Sequence, residues 1–194
     1  PIGSRGLGDV YKRQTSCSTS KTVYVNTSEL PVFDITDVLV FDLTGGGGNR
    51  IEIINGLEAL GIGDYEFSFN NGVFQDSPIF DNVPPGIHTI TVNDKKGCGS
   101  VTIAVSVIGY PLFFTPNNDG INDTWKILGV SDVFQAKSLI YIFDRHGRLL
   151  TQVLPKDLGW DGTYNGQPLV ADDYWFRVNL EDGRTFTGNF SLIR

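Results

Sequence analysis

Apolar and polar residues alternate one for one through most of this chain, in short runs separated by turn-forming clusters. Tyr65, Phe67 and Phe69 alternate with Glu66, Ser68 and Asn70, and His88, Ile90 and Val92 alternate with Thr89, Thr91 and Asn93. Val101, Ile103, Val105 and Val107 interleave with Thr102, Ala104 and Ser106, and Tyr174, Phe176, Val178 and Leu180 with Trp175, Arg177 and Asn179. A period of two sends successive side chains to opposite faces, so each run reads as a half-buried strand. Asn71-Gly72 suits a tight hairpin, Asn93 to Gly97 a longer turn, and Glu181-Asp182-Gly183 leads into a last strand with Phe186, Phe190 and Leu192 near one face. Many short strands with turns between them indicate a β-sandwich or barrel. Helical signal is confined to a single turn over 55–62, bracketed by Gly56, Gly61 and Gly63, and Gly45 to Gly48 reads as a flexible connector.

Ser20-x-Thr22-Val23-x-Val25 followed by Pro31-Val32-Phe33 matches Ser100-x-Thr102-Ile103-x-Val105 followed by Pro111-Leu112-Phe113. Cys17 and Cys98 precede the two copies. The repeat predicts a strand that closes one module and leads to the next, occurring twice. Residues 15–35 are then the tail strand of a truncated preceding module with its linker, residues 36–109 a complete module and residues 110–194 a C-terminal domain. Cysteines at equivalent places in consecutive modules lie too far apart to bridge, so Cys17 and Cys98 are not expected to pair. Residues 1–14 (PIGSRGLGDVYKRQ) have neither strand nor helix period and resemble sequencing-adapter read-through. They are expected to be a non-native, unstructured leader, with the native chain longer at its N-terminus.

Composition narrows the function classes. Of 194 residues, 40% are hydrophobic, and 22 Asp and Glu against 15 Lys and Arg give a net charge of −7. No cluster of Lys and Arg offers a phosphate-neutralising surface, so nucleic acid is not an expected partner. The apolar runs are only a few residues long, so no transmembrane segment is expected. Two histidines, His88 and His146, and two cysteines do not supply paired zinc-ligand spacings. Neither a G-x-S-x-G elbow, an H-E-x-x-H helix nor a phosphate-binding glycine loop occurs.

Five blocks in the last 85 residues carry the most specific signal. They are Phe113-Phe114-Thr115-Pro116-Asn117-Asn118-Asp119-Gly120-Ile121-Asn122-Asp123-Thr124-Trp125, then Ile140-Tyr141-Ile142-Phe143-Asp144-Arg145-His146-Gly147-Arg148-Leu149-Leu150, then Gly159-Trp160-Asp161-Gly162-Thr163-Tyr164-Asn165-Gly166-Gln167-Pro168-Leu169. Asp172-Asp173-Tyr174-Trp175-Phe176 and Gly188-Asn189-Phe190-Ser191-Leu192-Ile193-Arg194 complete the set. In this order they resemble the gliding motility-associated C-terminal domain, the type B sorting domain of type IX secretion. Asn118 stands where the family usually has Gly, and Asn189 and Ile193 where His or Lys is common. Residues 64–108 resemble, more loosely, the immunoglobulin-like repeats that precede such domains in bacterial surface adhesins. The Y-x-F-S-F-N-N-G hairpin, Phe74 to Phe80, Pro85 to Asp94 and the Lys96-Gly97-Cys98 turn carry that second resemblance.

The resemblance implies an all-β fold, with two small immunoglobulin-like β-sandwich domains in tandem. It implies a fragment of a secreted or cell-surface protein of a Bacteroidota-type bacterium, carried through periplasm and outer membrane by the type IX machinery as partner. The sorting-signal residues carried over are Phe114, Pro116, Asn117, Asp119, Gly120, Asn122, Asp123, Trp125, Asp144, Arg145, Gly147, Trp160, Asp161, Gly162, Gly166, Tyr174, Trp175, Gly188, Phe190, Leu192 and Arg194. Recognition of a folded β-domain would use edge strands, loops and the closing segment Ser191 to Arg194.

The residues themselves leave narrower alternatives open. Asn117, Asp119 and Asp123 are spaced like part of a calcium loop, but an EF-hand register would place Thr115 and Lys126 at required ligand positions, so a structural Asx-rich turn is the favoured reading. Core and edge packing of a small sandwich is the favoured reading of Trp160 and Tyr164, and a sugar platform for surface polysaccharide built on Trp160, Tyr164 and Trp175 is the alternative. Asp172 and Asp173 are adjacent on a strand and so face opposite ways, which rules out a shared role in glycoside hydrolysis. Neither catalytic residues nor a cofactor are expected, and the chain is expected not to be an enzyme.

Overall fold

A computed structural model of the chain describes residues 27–43, 48–54 and 60–194. The expected leader (1–14), Cys17, the first copy of the S-x-T-V-x-V strand, most of the glycine run and residues 55–59 of the single turn lie outside the described residues. The fold is all-β. Its strands are β1 (Val38–Phe41), β2 (Arg50–Ile53), β3 (Tyr65–Phe69), β4 (Ile79–Phe80), β5 (Gly86–Asp94), β6 (Ser100–Val107), β7 (Phe113–Phe114), β8 (Leu139–Phe143), β9 (Leu149–Val153), β10 (Thr163–Tyr164), β11 (Gln167–Pro168), β12 (Asp172–Asn179) and β13 (Thr185–Leu192). A 3-10 turn at Ile35–Asp37, with Asp34 as its N-cap, precedes β1. Among the described residues no helix is long and apolar enough to cross a membrane.

Alternation in sequence becomes alternation in burial. In β12, Tyr174, Phe176 and Val178 point inward while Asp173, Trp175 and Arg177 face out. Two apolar clusters result. The first lies between sheets ordered β1-β2-β4 and β3-β5-β6, and includes Phe33, Ile51, Phe67, Ile90, Val92, Val105 and Val107. The second lies under a five-stranded sheet ordered β7-β13-β12-β8-β9 and includes Phe114, Trp125, Ile142, Trp160, Tyr174, Phe176, Phe190 and Leu192. In that sheet only β7 and β13 run parallel, pairing Phe113 with Ser191 and Phe114 with Leu192. Phe33 of the first Pro-x-Phe segment enters the first core, whereas the matching Phe113 is exposed and it is its neighbour Phe114 that enters the second.

One turn differs from the sequence reading. The β3 hairpin turns at Asn70 and Asn71, with φ of 49° and 57°, and Gly72 N donates to the Phe69 carbonyl at 2.8 Å. The expected Asn71-Gly72 pair is therefore displaced by one residue. Asn70 explains the shift: its Oδ1 accepts from Thr89 N at 2.9 Å and its Nδ2 lies 2.9 Å from His88 Nδ1, fixing it against β5. Tertiary bonds thus hold an asparagine in the left-handed region that it tolerates better than most residues. Cys98 is exposed, and its Sγ donates to the Ser28 carbonyl at 3.2 Å.

Candidate functional site

The residues of the five C-terminal blocks divide between a core and two surface clusters. Phe114, Trp125, Trp160, Tyr174, Phe190 and Leu192 are buried. The Trp125 indole stacks on Phe190 with centroids 3.9 Å apart, and Trp160 meets Tyr174 edge-on at 5.0 Å. Buried indole N–H groups need acceptors. Trp125 Nε1 donates to the Pro111 carbonyl and Trp160 Nε1 to the Thr163 carbonyl, both at 2.8 Å. The two tryptophans also exchange backbone hydrogen bonds at 2.8 Å, which tie the loops before β8 and before β10 into one covering layer. Trp160 is only 4% exposed and is therefore excluded from a sugar platform. Tyr164 is half-buried, and the Arg148 guanidinium sits 5.0 Å from its ring centroid.

The first surface cluster gathers three blocks at one end of the domain. Pro116, Asn118, Asp123, Asp161 and Arg194 border a cavity of about 310 Å³. Its rim is an Asx-rich turn. Asp123 accepts from the backbone of Asn118 and, at 2.7 Å, of Gly120, while Asp119 accepts from Ile121 N at 2.8 Å and from the Asn117 side chain. These bonds, led by the Asn117 amide, hold the Asp119 carboxyl below the usual carboxylate range. The calcium candidates thus direct oxygens at their own backbone amides, and Asn122 closes the loop by accepting from Thr115 N at 2.8 Å. Arg194 Nε donates to the Leu169 carbonyl at 2.9 Å and its Nη2 reaches the Gly162 carbonyl at 3.3 Å. Gly162 has φ of 78°, and a Cβ there would lie 2.4 Å from Leu192 Cδ1. Gly120 and Gly166 also take positive φ in their turns. The closing segment is therefore anchored through Arg194 and paired to β7.

The second cluster lies on the outer face of the five-stranded sheet. Asp144 to Gly147 form the β8–β9 turn, where Asp144 accepts from the backbone of His146 and Arg148 and from Arg148 Nε at 3.0 Å. The Arg148 backbone bond leads the effects that keep the Asp144 carboxyl low. Arg145 and Trp175 share a hollow with this turn. The neighbouring acids diverge, with Asp172 meeting Arg145 Nη1 at 3.3 Å and Asp173 accepting from Ser191 Oγ at 2.6 Å. Gly188 is placed by contact: it pairs with Phe176, and a Cβ would approach that ring to 2.6 Å. His88, on the first core, has Nδ1 on Asn70 and Nε2 2.8 Å from the Pro84 carbonyl, so both ring nitrogens have structural partners.

The sequence reading did not find the contact between the two clusters of the fold. Asp42, beyond β1, has a side chain only 3% exposed, meets Arg184 Nη1 at 2.8 Å and accepts from Ile108 N at 2.9 Å. Leu43 packs against the second core, and Ser106 Oγ donates to the Gly129 carbonyl at 2.6 Å. No local pattern marks a pair 142 residues apart.

Comparison with known proteins bears on the second core. Residues 108–192 match the family model described as the CHU_C type IX secretion signal domain. No curated protein matches the chain. Among solved structures, PorZ, a bacterial surface component of the type IX secretion system of Porphyromonas gingivalis, aligns at 19% identity and a TM-score of 0.37 over 55% of this chain and 15% of its own. Dimeric latent PorU of the same organism aligns at 16% identity and a TM-score of 0.31 over 82% of this chain and 20% of its own. The chain thus spans a fifth or less of either structure, and likenesses of this degree carry no functional argument. The family match does: residues 108–192, built around the Trp125–Phe190 stack and closed by β13, are a type IX secretion signal domain of the CHU_C family.

Proposed function

We propose that this chain is the C-terminal part of a longer exported protein, in which the signal domain is a folded label read by the type IX machinery at the outer membrane and the preceding sheets are a spacer at the cell surface. The family match over residues 108–192 carries the reading. The geometry supports a folded label rather than a linear tag. Its blocks meet only in three dimensions, as Asn118, Asp161 and Arg194 do at one cavity. The spacer role rests on the contact between the buried Asp42 carboxylate and the half-exposed Arg184, which couples the first core to the second. On this reading the chain is not a catalyst: Asp172 and Asp173 bind different partners on opposite faces, and both nitrogens of His88 are engaged.

The test is export of a cargo. The chain is fused behind a periplasm-targeted fluorescent protein in a bacterium that runs type IX secretion, and in the same strain with the translocon disabled. Fluorescent fusion is expected at the surface or in the medium of the first strain and in the periplasm of the second. Folded fusion retained in the periplasm of both strains contradicts the reading.

A further inference from the structure

The outer face of the five-stranded sheet exposes a large aromatic side chain. Trp175 lies on β12, between β13 and β8, yet is 41% exposed, whereas Trp125 and Trp160 are buried. A large aromatic left in water at the middle of a sheet calls for explanation. Its cross-strand neighbours continue an apolar row: Trp175 pairs with Phe143 on β8, and Phe143 with the exposed Leu149 on β9. On the other side Trp175 pairs with the exposed, polar Asn189 on β13. The hollow at Trp175 is about 460 Å³ and is also lined by Asp144, Arg145, Arg177 and Thr187. That volume falls within the roughly 300–1,000 Å³ typical of small-ligand sites.

Charge identifies the occupant. The chain is acidic overall, at −7, but this hollow holds two guanidinium groups against one carboxylate. That carboxylate, Asp144, is already bound by Arg148 and two backbone amides. Arg145 is held by Asp172. Arg177 donates through Nε to Asn179 Oδ1 at 3.1 Å and has no carboxylate partner among the described residues. An unneutralised guanidinium beside an exposed indole fits an acidic sugar. The apolar ring face stacks on the aromatic, and the carboxylate is received by the planar donor fork. An added peptide strand does not fit, because both edges of β12 are filled by β13 and β8, leaving side chains alone to make contact. We propose that this face binds an acidic polysaccharide, with Trp175 as the stacking platform and Arg177 as the carboxylate receptor.

The full chain is titrated with an oligogalacturonate and with a neutral malto-oligosaccharide of equal length, by tryptophan fluorescence and by calorimetry. Trp175→Ala and Arg177→Gln change exposed side chains, and each variant is checked for an unchanged far-UV spectrum. The acidic oligomer is expected to bind and shift the fluorescence, with affinity falling as salt rises. Trp175→Ala is expected to weaken binding about tenfold or more, and Arg177→Gln several-fold with loss of the salt dependence. Absence of binding at millimolar oligomer, equal binding of the neutral oligomer, or unchanged affinity in Trp175→Ala each overturns the proposal. Sedimentation that shows a dimer dissociated by Trp175→Ala assigns the face to a second copy instead, and overturns it as well.

Discussion

Gly188 sits across from Phe176 in the β12–β13 pair, and the ring lies where a side chain would otherwise stand. Gly188→Ala is expected to destabilise the second core by about 1–3 kcal/mol, since added volume in a packed site displaces its neighbours. Urea unfolding followed by tryptophan fluorescence measures this, and an unchanged midpoint contradicts the packing. In the first core the informative residue is Asp94. A hydrogen bond from Ser28 Oγ, followed by one from Cys98 N, depresses its carboxyl to about 2. A folded-state value below the unfolded one, about 3.9, contributes stability that is complete above the unfolded value and is lost as pH falls toward the folded one. The melting-temperature advantage of the native chain over Asp94→Asn should therefore be constant above about pH 5 and shrink between about pH 4 and 2. A difference that stays constant down to pH 2 removes Asp94 from the acid sensitivity.

Two hairpins of the signal domain use the same turn. Gly147 N donates to Asp144 O at 2.9 Å while Asp144 N donates to Arg148 O, and Gly183 N donates to Leu180 O while Leu180 N donates to Arg184 O. In each the glycine takes the positive φ that a three-residue hairpin with a bulge requires. At Gly147 there is open space where a Cβ would go. Gly147→Ala is therefore expected to cost only the backbone term, roughly 1–2 kcal/mol, whereas Gly162→Ala adds a clash with Leu192 and should cost more. Thermal melts of the pair rank them, and equal losses contradict the role given to Leu192. These strands and turns were legible in the sequence because period-two alternation and turn clusters such as Glu181-Asp182-Gly183 are local signals. The layer opposite the sheet was not, because residues 109–128 and 158–170 are held by isolated pairs such as Trp125 with Trp160 rather than by long ladders. Core packing is the favoured reading of Trp160 from the sequence, but the groups that bury it are not visible between Gly159 and Asp161-Gly162. Its burial depends on finding the Thr163 carbonyl and the Phe114, Tyr174 and Phe190 rings, and no local pattern states that.

Across the molecule, the Asp42 carboxylate joins the two cores by accepting from Ile108 N while paired with Arg184. Burial alone would raise the neighbouring Asp182 carboxyl, but hydrogen bonds from Arg184 more than offset it and hold it low. Asp42→Ala leaves the Ile108 amide without its acceptor, which is expected to cost about 1–3 kcal/mol. Calorimetry should then show a single transition in the native chain splitting into two, and a single transition in both contradicts the coupling. The C-terminal blocks revealed the signal domain in the sequence because short motifs survive as motifs. Their convergence on one cavity was not visible, since the loop at Asn118, the turn at Asp161 and the terminal Arg194 are brought together only by closure of the sheet. That convergence is what a folded label requires. Export of the fluorescent fusion is best measured for the native chain and for Trp125→Ala, which keeps every surface residue of the three blocks but removes the ring stacked on Phe190. With periplasmic pools matched by immunoblot, the native fusion should leave the cell and the variant should remain behind. Equal export of the two would show that the machinery reads a linear segment, and would contradict a folded label.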